Sequence, residues 1–118
     1  MGARERGLAL ALATCALTAS RHAVLQRSEP RVESKLKTPS REVKLYFSER
    51  LEPAYSSVRV LNDHDVQVDR RDSRVDRANP ALLRTTLPPL PSGTYKVQWR
   101  VLSIDADVTG GVFRFTIE

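Results

Sequence analysis

Five short stretches of this chain alternate between apolar and polar positions. VKLYF sets Val43, Leu45 and Phe47 on one side, SVRVL does the same with Val58 and Val60, and DVQVD with Val66 and Val68. TYKVQWRVL sets Tyr95, Val97, Trp99 and Val101 against Lys96, Gln98 and Arg100. VFRFTI sets Phe113, Phe115 and Ile117 against Arg114 and Thr116. A period of two sends successive side chains to opposite faces, so each stretch predicts a strand with one buried face. NDHD, residues 62–65, predicts a tight hairpin, and LPPLPSG, residues 87–93, a loop ahead of the strongest strand. No helical period of any length follows residue 20. Short strands with turns at this spacing predict an antiparallel β-sandwich, with Trp99 and its same-face neighbours in the core.

The first twenty residues follow a different pattern. Arg4 and Arg6 precede an apolar run over residues 8–17, and small residues follow. That is the layout of a secretory signal, too short to span a bilayer of about 30 Å. The expected division is a signal peptide over 1–20 and one domain over 21–118. Cleavage after Ser20 starts the mature chain at Arg21. Cleavage after Ala19 starts it at Ser20 and makes His22 the third residue. LATC, residues 12–15, faintly resembles a lipoprotein box at Cys15, but threonine before the cysteine makes lipidation the weaker reading.

Composition narrows the choice. The 118 residues are 41% hydrophobic and 28% charged, which suits one globular domain. The net charge of +5 raises the question of nucleic acid. In VDRRDSRVDR, residues 68–77, the arginines alternate with Asp69, Asp72 and Asp76 instead of forming a stripe, which predicts a solvated loop or edge strand and argues against nucleic-acid binding. Cys15 is the only cysteine and falls in the signal, so the domain has neither a disulfide nor a thiolate metal site.

Three blocks together resemble a known family: HAVLQRSEP, VKLYFSERLEPAYSSVRV and LPPLPSGTYKVQWRVLSIDADVTGGVFRFTI. They are similar, in this order, to the CopC-type periplasmic copper-binding domain. The resemblance implies an immunoglobulin-like Greek-key β-sandwich of about seven strands, placed in the periplasm as a monomer. It implies Cu(II) bound at one end by an N-terminal histidine with its amine, an aspartate, and a histidine two positions beyond it. A glutamate in a Phe-Ser-Glu motif lies close by. A membrane copper transporter of the CopD type is the partner it implies.

Carried onto this chain, the N-terminal histidine is His22, the motif glutamate Glu49 and the aspartate Asp105. The second histidine position holds Asp107, so Asp-x-His has become Asp-x-Asp. Cu(II) prefers tetragonal N,O ligation, and losing one imidazole weakens the preference for copper over manganese, calcium or zinc. Three carboxylates at one pole still favour a cation, because like charges oppose one another's ionisation. The family's Cu(I) site is absent, since Met1 is the only methionine and Cu(I) needs soft ligands. Binding through an imidazole requires its neutral form and weakens below about pH 6.

Taken singly, each of these residues has an ordinary explanation. Asp105 can bond backbone amides in its turn, Asp107 can be merely exposed, and Glu49 can pair with Arg50. His64, in NDHDV, is read as a turn residue. No Ser-His-Asp set, phosphate loop or histidine brace is present, so no catalysis is expected. The chief reading is a copper-binding protein with a degenerate Cu(II) site. The rival is a metal-free module of the same fold that docks on a membrane partner.

Overall fold

The computed structural model describes residues 22–118. The expected signal segment, its expected cleavage point and Cys15 therefore lie outside the described residues. Eight strands form in chain order: β1 (Leu25–Glu29), β2 (Lys35–Leu36), β3 (Glu42–Phe47), β4 (Ser57–Leu61), β5 (Arg74–Val75), β6 (Leu82–Thr86), β7 (Gly93–Leu102) and β8 (Val108–Ile117). One 3-10 turn, Pro53–Tyr55, precedes β4. The strands make two four-stranded sheets, ordered β1-β3-β6-β5 and β2-β8-β7-β4. All pairings are antiparallel except β2 with β8. The architecture is the β-sandwich that the alternation predicts, with two strands of only two residues each.

The predicted buried faces meet between the sheets. Val43, Leu45 and Phe47 of β3 and Leu83 of β6 face Val58 and Val60 of β4, Tyr95, Val97 and Val101 of β7, and Phe113, Phe115 and Ile117 of β8. Tyr95 stacks on Phe115 at 5.5 Å between centroids, and its hydroxyl donates to the Pro91 carbonyl at 2.6 Å, tying the proline loop to the core. Trp99 is half-buried at one end, edge-on to Phe47 at 6.3 Å and tilted against Phe113 at 6.1 Å.

DVQVD departs from its predicted strand. Its one ladder contact is an isolated bridge from Gln67 to Leu61, and Val66 is exposed. The hairpin turn itself forms. The Asn62 carboxamide oxygen accepts the His64 and Val66 N–H groups, and Val66 returns its carbonyl to the Asn62 N–H. Beyond the turn, carboxylate side chains take over the ladder's work. Asp69 is only 7% exposed, and its Oδ2 accepts the Val60 N–H at 2.8 Å. The charged run is thus an edge strand at Arg74–Val75, as expected, but its aspartates are structural acceptors and not solvated filler.

Asp72 accepts from the Thr85 hydroxyl, the Thr86 N–H and the Thr86 hydroxyl at 2.9, 2.8 and 2.6 Å. The Thr86 bonds hold its carboxyl down from 3.8 to about 2. A carboxyl depressed in the folded state stabilises the fold above about pH 4, and that contribution is lost as pH falls toward 2. At 39% exposure the effect is discounted for solvent screening. In urea titrations at several pH values, the midpoint should drop between pH 4 and 2, and Asp72→Asn should flatten that drop. A variant with the unchanged slope would show that Asp72 does not carry it.

Candidate metal centre

The amino-terminal segment is stitched to two strands before it reaches β1. The Val24 N–H donates to the Ser48 hydroxyl at 2.9 Å, and the Ser48 N–H donates to the Val24 carbonyl at 2.8 Å. The Ser48 hydroxyl also reaches the His22 carbonyl at 3.4 Å. From the other side, the Thr109 hydroxyl donates to the Ala23 carbonyl at 2.9 Å. Ala23 is buried among the core residues, which fixes the backbone one residue from the histidine. His22 is thereby held between the end of β3 and the start of β8.

The β7–β8 turn is tight for local reasons. The buried Ser103 pairs with Leu51 in an isolated bridge. Its N–H donates to the Asp107 carbonyl at 3.0 Å, and its hydroxyl accepts the Asp107 N–H at 3.3 Å. Its carbonyl accepts the Ala106 N–H at 2.9 Å. Ala106 takes the left-handed conformation, with φ of 68°, and reverses the chain between the two aspartates. The Ile104 N–H donates to the Arg50 carbonyl at 3.1 Å, so the turn rests on the residue that follows Glu49.

These contacts bring His22 and Asp107 together. Imidazole Nδ1 lies 3.9 Å from Asp107 Oδ2, with the side chains 55% and 39% exposed. Asp105 is exposed on the same turn, and Glu49 is half-buried on the adjoining segment. Among the described residues, no three of His, Cys, Asp and Glu stand close enough to hold a metal ion as a group. The arrangement is an imidazole–carboxylate pair open to solvent, with two further carboxylates on neighbouring backbone. His64 sits in the Asn62 turn, with its Nε2 3.6 Å from Asp63 Oδ1. An N,O pair of this kind suits a borderline divalent ion such as Cu(II) better than a soft monovalent one. Of the two residues that set the position of His22, Ser48 is the middle residue of the Phe-Ser-Glu motif, and Thr109 carries no periodic or motif signal of its own.

A family model described as the CopC domain matches residues 25–118. The copper transport protein CutJ of Bacillus subtilis (strain 168) is 28% identical over 101 residues, which are 85% of this chain and 19% of that protein. Copper resistance protein C of Escherichia coli is 26% identical over 110 residues, 87% of this chain and 86% of its own. Among solved structures, CopC from Methylosinus trichosporium OB3b is 30% identical with a TM-score of 0.75, covering 82% of this chain and 94% of that one. PcoC, a methionine-rich copper resistance protein from Escherichia coli, is 28% identical with a TM-score of 0.69, covering 83% of this chain and 100% of that one. Among the described residues, no helix is long and apolar enough to cross a membrane.

Proposed function

Because the chain belongs to the CopC domain family, we propose that it is a periplasmic Cu(II)-binding protein serving copper resistance, homeostasis or delivery to a membrane copper transporter. His22 and Asp107 would supply the first two ligands. The observation that carries this reading is their approach to 3.9 Å on backbone fixed by Ser48 and Thr109. The imidazole supplies the nitrogen that favours copper, and Asp107 supplies an oxygen where the family pattern has a second imidazole. Glu49 and Asp105, on adjoining segments, would have to move in to complete an oxygen-rich set, since no three such side chains stand together among the described residues. Such a set holds Cu(II) less selectively than a nitrogen-rich one. PcoC is described as methionine rich, whereas this chain has only Met1, so the metal taken is Cu(II) and not Cu(I).

The test is a competition titration with Cu(II) against a chromophoric chelator, on secreted protein whose amino terminus is fixed by intact mass. One equivalent should bind. His22→Ala should weaken binding at least about tenfold, near 1.4 kcal/mol, and Asp107→Asn should weaken it less. Unchanged affinity in His22→Ala removes His22 from the site. A second reading, a metal-free module that docks on a membrane partner of the CopD type, has one observation in its favour. The matching stretch in the Bacillus subtilis copper transport protein is part of a much longer chain. Absence of Cu(II) binding by the unmodified protein would select that reading.

A further inference from the structure

The outer faces of the two sheets treat their cations differently. On the β1-β3-β6-β5 face, Lys44 pairs with Glu29 and Glu42, and Arg84 with Glu42 and Asp76. Arg74, on the edge strand, pairs with Asp72. On the β2-β8-β7-β4 face, only Lys96 has a carboxylate, Asp65. Arg59, Arg100 and Arg114 are exposed there and form no ion pair among the described residues. Asp65 also acts electrostatically on Arg114, and Arg27 on the first face stacks on the Tyr46 ring without an ion pair, so Arg59 and Arg100 are the two neighbouring cations of the β2-β8-β7-β4 face with no carboxylate partner among the described residues.

The surface around Arg59 and Arg100 is not flat. A groove enclosing about 310 Å³ opens between Arg59 and Arg100, with Gln98 and Val112 in its walls. Ladder pairing sets Arg59 opposite Gln98 and Ser57 opposite Arg100. The two arginines are therefore diagonal neighbours on adjacent strands, about 7–8 Å apart at the backbone. The Arg59 Nε donates to the Gln98 side-chain oxygen at 2.8 Å, which steadies the guanidinium and leaves its terminal nitrogens for a ligand. Val112 is 52% exposed beside them, and Ser57, Trp99 and Gly111 complete the lining, so the two arginines are its only charged members.

We propose that this groove docks an acidic, aliphatic segment of a partner protein, with carboxylates on Arg59 and Arg100 and an apolar side chain against Val112. Guanidinium forks match carboxylates in two parallel bonds, which a point charge does not. The volume takes one or two side chains, too little for a large cofactor. A concave slot between two arginines also favours an inserted side chain over a flat lipid surface. Arg100 lies three residues before Ser103, so at about 3.3 Å per strand residue the groove sits within roughly 10 Å of the turn that carries Asp107. A docked segment would lie beside that pole, but the groove's chemistry does not depend on any metal.

The test uses ¹⁵N-labelled protein and a short synthetic peptide alternating Glu and Val, followed by amide shift mapping. Shifts should concentrate at residues 57–59, 98–100 and 110–112. Arg59→Glu with Arg100→Glu should weaken the peptide roughly tenfold or more. Arg41→Glu with Arg77→Glu makes the same charge change at exposed sites outside the groove and should alter binding less than about twofold. A Lys-Val peptide should not bind. Equal losses in both double variants, or shifts spread over the whole surface, would reduce the effect to net charge and overturn the proposal. Binding of phosphatidylglycerol vesicles, but not of the peptide, through Arg59 and Arg100 would overturn it in favour of a membrane.

Discussion

Gly111→Ala is expected to lower the unfolding free energy by about 1–3 kcal/mol and to shift tryptophan emission to the red. A Cβ on Gly111 would stand 2.4 and 2.5 Å from ring carbons Cζ2 and Cη2 of Trp99, closer than atoms can pack. The ring has no retreat inward, where Phe47 and Phe113 already meet it. The indole must lift toward water and give up its burial, the larger part of what an aromatic side chain contributes. Trp99 is the only tryptophan, so emission reports this ring alone. The disturbance should reach the candidate metal centre, because Thr109, two residues before Gly111, holds the Ala23 carbonyl beside His22. Urea unfolding followed by fluorescence measures both effects. Unchanged emission together with a stability loss below about 0.5 kcal/mol would show that the ring is not seated against Gly111.

The sandwich was legible wherever burial had to alternate. β3, β4, β7 and β8 each carry apolar residues every second position, because each presents one face to the core and one to water. β6 escaped because Leu82 and Leu83 are adjacent and both buried, which breaks the period, and its remaining buried residue, Thr85, is polar. β1 escaped because the one fully buried residue in it is Ser28, so no apolar signal marks it. Val66 and Val68 misled in the opposite sense: the alternation is present, but Asn62 turns the chain and Asp69 replaces the ladder. At the candidate metal pole, His22 and Asp107 could be named only through the family pattern. What sets their geometry is a pair of hydroxyls, Ser48 and Thr109, that act across 24 to 26 and 86 residues of chain. A single serine or threonine has no periodicity to reveal such a role, and only the closed fold brings it to its partner.

Asp69→Ala should cost about 2–4 kcal/mol of stability and, unlike most core substitutions, should also promote self-association. β4 is the edge of its sheet, and an edge strand with free N–H groups is a template for another chain. Here the outward donors are taken by side chains. The Val58 N–H donates to the Ser73 hydroxyl at 2.9 Å and the Val60 N–H to Asp69 Oδ2 at 2.8 Å. The other Asp69 oxygen accepts the Arg71 N–H at 2.8 Å, and the Gln67 amide reaches both oxygens at 3.1 and 3.2 Å. One buried carboxylate thus both closes the edge and holds the loop that returns toward β5. Truncation leaves at least two backbone donors without an acceptor, each costing about 1–3 kcal/mol where water cannot reach it. It also removes a charge that repels an incoming strand. Asp69→Asn keeps one acceptor oxygen for Val60 and should fall between the two in stability while remaining monomeric. Urea unfolding and concentration-dependent sedimentation read the two effects separately. If Asp69→Ala stays monomeric and loses no more stability than Asp69→Asn, the carboxylate is not what guards the edge of β4.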